Sequence, residues 1–141
     1  MSPELRKRFI IIFLVIVARD ATGSSEVEFE GNNLDFARFQ RYSMREAVVE
    51  FWEGPDRPAI EDVRNPDWLL HHSDKQTPGE ALTEIFERCA EHKLIQPTII
   101  YDYPVETSPL SKNKPEDPAF VERFELYAAG RPRPRRLPAC R

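Results

Sequence analysis

Apolar residues run unbroken from Phe9 to Ala18, alternate with polar ones from Glu26 to Phe36, and recur at helical spacing from Ala81 to Cys89. The three patterns predict three kinds of element. In the alternating stretch Val27 and Phe29 lie between Glu26, Glu28 and Glu30, and Leu34 and Phe36 resume the alternation after Gly31-Asn32-Asn33. That pattern predicts a β-hairpin with one apolar and one acidic face, turning at residues that tolerate positive φ. The stripe Ala81, Leu82, Ile85, Phe86 and Cys89 predicts an amphipathic helix reaching about His92.

Helix starts are marked twice. Ser43-Met44-Arg45-Glu46 and Thr77-Pro78-Gly79-Glu80 both have the form of a capping box, the second with proline at the first helical position. The first opens a helix bearing Met44, Ala47, Val48 and Phe51, stopped by Gly54-Pro55. Residues 55–76 read as a polar, proline-punctuated connection. It has a short helix near Ala59 to Val63 and is anchored by Trp68, Leu69 and Leu70. Residues 97–103 (PTIIYDY) read as a strand, and residues 104–118, with four prolines, as a long loop. Residues 120–129 (FVERFELYAA) alternate cleanly. Phe120, Glu122, Phe124, Leu126 and Ala128 fall on one face; Val121, Arg123, Glu125 and Tyr127 fall on the other.

The run Phe9–Ala18 follows Arg6, Lys7 and Arg8. It is too short for a transmembrane helix, which needs about 20 residues. A basic start before a short apolar run resembles a secretory signal, but Arg19-Asp20-Ala21-Thr22 offers no small-x-small cleavage pattern. The expectation is a buried helix or strand of the core.

Composition narrows the class. With 141 residues, 40% apolar and 31% charged, the chain is long enough for one core and too apolar for a disordered tract. The net charge is −4, with five arginines and no acid in residues 131–141, so the remainder carries −9. An acidic body is a poor polyanion binder, since phosphates are held mainly by Lys and Arg. The terminal arginines lack interleaved aromatics and read as a solvated tail. Two cysteines cannot build a disulfide scaffold, which points to a reducing compartment.

Candidate chemistry is sparse. His71-His72 is poor metal geometry, because adjacent side chains diverge. Cys89 on an apolar stripe reads as a small core residue. No GxGxxG, P-loop or GxSxG pattern occurs. Arg123, Glu125 and Tyr127, on one side of a strand, remain the best candidates. A carboxylate beside a guanidinium stays ionised, as a metal or amine site needs, although a wet sheet face with an ion pair looks the same.

Residues 84–131 contain longer literal signals: His92-Lys93-Leu94-Ile95-Gln96-Pro97-Thr98; Tyr103-Pro104-Val105-Glu106 with Ser108-Pro109-Leu110; and Glu122-Arg123-Phe124-Glu125-Leu126. Together they strongly resemble the catalytic domain of class II lysyl-tRNA synthetases. The resemblance extends from about Arg19 to Arg131 and is weakest over residues 55–76. It implies an α+β fold, an antiparallel sheet with flanking helices, as part of a class II core lying between motifs 2 and 3. It implies an enzyme that activates lysine with ATP as a lysyl-adenylate and transfers it to tRNA. The cofactors implied are ATP and Mg2+. The partners implied are lysine, ATP, tRNA and a second subunit, with no membrane, in the cytoplasm. Glu125 matches a family glutamate that contacts the ATP-bound magnesium.

Departures from the family pattern set further expectations. The second magnesium glutamate, seven residues on, is Pro132 here, and residues 131–141 replace the lysine-binding strand. No motif 1 dimer element, motif 2 or motif 3 arginine, or anticodon-binding barrel is recognised. The chain by itself is therefore expected to be inactive. The expected organisation is an apolar segment of uncertain origin at 1–18, a partial catalytic domain at 19–130, and a disordered Arg/Pro-rich tail at 131–141. Two rivals stay open at the level of sequence. One is a related ligase, either a translation-factor lysylating paralogue or an aspartyl- or asparaginyl-type relative. The other is a non-enzymatic secreted or membrane-tethered interaction domain.

Overall fold

The computed structural model describes residues 2–130; the expected tail at 131–141 lies outside the described residues. Helix α1 spans Pro3–Thr22, β1 Glu26–Phe29, β2 Asn32–Asp35, β3 Gln40–Ser43, α2 Met44–Glu50, α3 Ile60–Arg64, α4 Pro66–His71, α5 Pro78–Cys89, β4 Thr98–Pro104 and β5 Phe120–Tyr127. Single 3-10 turns at Glu91–Lys93 and Val105–Thr107 flank β4.

The hairpin forms as its alternation predicts, with Val27 opposite Leu34 and Glu28 opposite Asn33. Its turn sits one step earlier than the composition suggested. Glu30 and Gly31 take φ of 49° and 80°, and Asn32 and Asn33 already belong to β2. Two consecutive positive φ values match the twist of a two-residue hairpin, and Gly31 meets the second without a Cβ penalty.

The larger sheet has the order β3-β4-β5, with β3 parallel to β4 and β4 antiparallel to β5. The expected purely antiparallel sheet is therefore corrected to a mixed one. The reason is β3: Gln40, Arg41 and Tyr42 show no apolar alternation, and their pairing partners lie more than fifty residues away.

Both N-terminal caps form. Ser43 accepts from the Glu46 backbone N–H at 3.2 Å, and the Glu46 carboxylate accepts from the Ser43 N–H at 2.7 Å. Thr77 accepts from the Glu80 N–H at 3.3 Å. The α5 stripe then fixes the core: Leu82, Ile85 and Phe86 meet Met44, Ala47 and Val48 of α2, with Val63, Leu69, Ile100 and Val121 around them. Trp68 and Leu70 pack against this cluster, as expected, but from the helix α4 rather than from a loop.

Helix α1 departs most from expectation. It is one continuous helix through residue 18, yet only Lys7 and Ala18 are buried along it, while Phe9, Ile12, Phe13 and Ile16 face water. The element expected in the core is instead held at its edge. Lys7 pairs with Glu4 at 2.7 Å and sits 4.4 Å over the Tyr101 ring, and Arg41 reaches Glu4 at 3.5 Å.

Candidate functional site

Strand β5 places Arg123, Glu125 and Tyr127 on one face, as its alternation requires. That face is the one packed against α5. Phe86 and Tyr127 meet edge to face at 5.9 Å, while Leu126, on the other face, stays exposed and Phe124 lies beneath Lys7. Glu125 therefore points to the α5 side of the sheet. Alternation names the residues that share a face but not which face the helix covers. The larger burial comes from Tyr127 and Val121, with Tyr103 across from Val121 and Ile100 across from Glu125.

A bulge makes Tyr103 available there. Between the pairs Tyr101–Phe124 and Tyr103–Val121, two residues of β5 oppose the single Asp102, whose φ is 58°. The left-handed turn sends Asp102 to Lys114, at 2.7 Å, and leaves Tyr103 on the core face with Ile100. Sequence alternation alone, which put Ile100 and Tyr103 on opposite faces, missed this residue.

The result is a polar relay across the sheet. Arg123 pairs with Glu125 through Nη2 and Oε1, and its Nη1 donates to the Ser108 hydroxyl at 2.6 Å. The guanidinium carbon lies 4.7 Å from the centre of the Tyr103 ring, within cation–π range. The Tyr127 hydroxyl donates to Glu125 Oε2 at 3.0 Å and lies 2.9 Å from the Tyr103 hydroxyl. A phenol has one hydrogen. Since Tyr127 gives its own to Glu125, Tyr103 donates to Tyr127. Burial, and then this bond to Tyr127, hold the Tyr103 phenol far above its ordinary range, with Arg123 pulling the other way.

These residues line a cavity of about 330 Å³, closed on the helix side by Phe86, Glu87 and Glu91. Desolvation, and then Glu91, push the Glu87 carboxyl above its ordinary range while Lys75 opposes them. Glu87 stays exposed on the rim, so water screens most of this effect. Arg123 and Glu125 are each about one-third exposed, which leaves the pair reachable from the cavity.

Magnesium is the metal that the resemblance implies, and Glu125 the residue it points to. The arrangement does not fit the ion. One carboxylate oxygen is held by Arg123 and the other by Tyr127, so both are already engaged within the protein, and one carboxylate alone is a sparse ligand set for the ion. Among the described residues no group of three His, Cys, Asp or Glu side chains is placed to hold a metal. The His71-His72 pair forms no such group either: His72 stacks on Trp68 at 4.0 Å. Cys89 is fully buried on the apolar stripe of α5, so it offers no accessible nucleophile.

No family model matches the chain. Individual relatives do. It is 37% identical over 121 residues to the lysine–tRNA ligase of Psychromonas ingrahamii, covering 82% of this chain. It is 37% identical over 125 residues, again 82% of the chain, to that of Bacillus subtilis. With that of Syntrophomonas wolfei the identity is 43% over 111 residues, 74% of the chain. The chain spans about a quarter of the length of these relatives: 24%, 24% and 22%. The other readings, an aspartyl- or asparaginyl-type ligase or a secreted interaction domain, are not favoured beside these matches. Over about four-fifths of its length, the chain belongs with the lysyl-tRNA synthetases, as a segment about a quarter as long as they are.

Proposed function

We propose that residues 19–130 are part of the catalytic unit of a cytoplasmic, class II lysine–tRNA ligase, an enzyme that activates lysine with ATP and transfers it to tRNA. The observation that carries this reading is the 37–43% identity to lysine–tRNA ligases over most of the chain. In the complete enzyme the β5 face forms a wall of the ATP site. Tyr127, held by Tyr103, fixes Glu125, and Glu125 with Ser108 fixes Arg123 in one orientation. A preset guanidinium stabilises developing phosphate charge without reorganising during the reaction. No step is assigned to magnesium, because the described residues do not by themselves make a site for it.

The test is a chimera in which residues 19–130 replace the matching segment of the Bacillus subtilis enzyme. Lysine-dependent exchange between pyrophosphate and ATP is expected, falling on the order of 100-fold in the Arg123→Ala variant. A folded chimera without exchange would overturn the proposal, as would exchange that depends on aspartate rather than lysine. Full exchange in Glu125→Gln would remove Glu125 from the site.

A further inference from the structure

Two of the contacts that fix Arg123 come from its own sheet. Glu125 stands two residues along β5, and Tyr103 lies on the neighbouring strand β4. A third comes from outside the sheet. Ser108 follows β4 by way of the 3-10 turn Val105–Thr107, is 5% exposed, and accepts from Arg123 Nη1 at 2.6 Å. Its backbone N–H donates to the Val105 carbonyl at 3.1 Å, which folds it back over the turn.

That turn is seated on the first two turns of α5. Gly79 makes the close approach possible: a Cβ there would strike the Glu106 carboxylate and lie 2.8 Å from the Pro104 Cβ. Thr83, one helical turn on, has its hydroxyl 3.0 Å from the Gly79 carbonyl and 3.3 Å from the Thr107 hydroxyl. Thr107 donates to the Pro104 carbonyl at 3.2 Å. Each threonine has one hydroxyl hydrogen, so with that of Thr107 given to Pro104, Thr83 is the donor toward Thr107. A path of side chains therefore runs from α5 to the guanidinium: Thr83, Thr107, Ser108, Arg123.

Helix α5 is also the wall that faces Arg123 across the cavity, through Thr83, Phe86 and Glu87. A ligand held between the two walls needs the guanidinium fixed relative to both. Glu125 and Tyr103 fix it relative to β5. The path through Ser108 fixes it relative to α5. After these bonds the guanidinium keeps further N–H groups, so an anionic oxygen can bind it without breaking them.

We propose that Thr83 is a positioning residue for Arg123, acting through Thr107 and the Ser108 hydroxyl, and that it sets how the guanidinium is presented to a phosphate oxygen in the cavity. The identity of the ligand rests on the proposed function; the coupling of Thr83 to Arg123 does not.

Thr83→Val removes the hydroxyl at nearly constant shape, and Thr83→Ser keeps it. In the full 141-residue chain, exchange between the Arg123 Nη signals in nitrogen NMR reads rotation of the guanidinium, with circular dichroism confirming that each variant is folded. Rotation should be several-fold faster in Thr83→Val and in Ser108→Ala, and unchanged in Thr83→Ser. In the chimera described above, Thr83→Val should lower the maximal rate of pyrophosphate–ATP exchange about 10-fold, with the KM for lysine unchanged. Thr83→Ser should retain the full rate. Once Arg123 is replaced by Ala, Thr83→Val should cost nothing further, whereas a merely structural role would lower the rate there as well. Rotation indifferent to Thr83→Val would overturn the coupling. Faster rotation with unchanged exchange, or an equal loss in the Arg123→Ala background, would overturn the positioning role. A folded chimera without exchange would overturn the proposed function, and the phosphate with it, while the rotation still decides the coupling.

Discussion

Replacing Tyr127 by Phe removes one oxygen but disturbs two hydrogen bonds. Tyr103, 5% exposed, loses the acceptor for its hydroxyl hydrogen, and Glu125 loses a donor at 3.0 Å. A buried donor left without a partner costs about 1–3 kcal/mol. Glu125 is one-third exposed, so water replaces its lost donor and adds little. Tyr103→Phe is milder. Tyr127 keeps its bond to Glu125 and loses only an incoming one, so about 0.5–1.5 kcal/mol is expected. The double variant has no stranded donor and should be no less stable than Tyr127→Phe alone. The cycle should therefore give a coupling of about −1 kcal/mol. Urea unfolding at pH 7 and one fixed protein concentration measures all four proteins, with unchanged m-values as the check that the folded state is preserved. Single effects that add to within about 0.3 kcal/mol would show that the two hydroxyls do not communicate and would refute the relay.

Three further outcomes follow from the same geometry. Because the folded protein holds the Tyr103 proton and the unfolded chain releases it at the ordinary tyrosine value of 10.0, stability should fall as pH rises above about 10, and less steeply in Tyr103→Phe; denaturant midpoints across alkaline pH measure this. Gly79→Ala should cost about 1–3 kcal/mol in thermal or urea unfolding, because its Cβ would strike the Glu106 carboxylate and come within 2.8 Å of the Pro104 Cβ, which cannot swing away. The 141-residue chain alone should show no lysine-dependent pyrophosphate–ATP exchange, since Pro132 stands where the resemblance implies a second carboxylate; exchange abolished by Glu125→Ala would reverse that expectation.

Local signals proved readable where chemistry and structure are both local. Ser43 with Glu46 and Thr77 with Glu80 announce the starts of α2 and α5, and the stripe from Ala81 to Cys89 announces the face that builds the core. The hairpin is legible in Val27 and Leu34. Strand β3 is not, because Gln40, Arg41 and Tyr42 owe their conformation to a parallel partner far along the chain. The short helix α4, Pro66–His71, lies in a stretch whose prolines and charges read as connection, although Asn65 caps it through a 3.0 Å bond to the Asp67 N–H. At the candidate site, the grouping of Arg123, Glu125 and Tyr127 follows from alternation. Their side of the sheet does not, and neither does Tyr103, which needs the left-handed Asp102 to reach them. Helix α1 is apolar enough to suggest burial, and only the packing of the finished core reveals that no room is left for it.

The parallel pairing of β3 with β4 carries a consequence for how the chain tolerates being cut. All of α2 to α5 is contained in residues 44–97, one excursion between neighbouring strands. The bend at Pro55, Asp56 and Arg57 within it is exposed and belongs to no helix. A single nick there would leave α1 through α2 on one piece and α3 through β5 on the other. The two pieces would still share a strand ladder and the packing of α2 against α5. Severed at Asp56, they should behave as complementing halves, separating only when the whole structure melts and finding each other again on mixing.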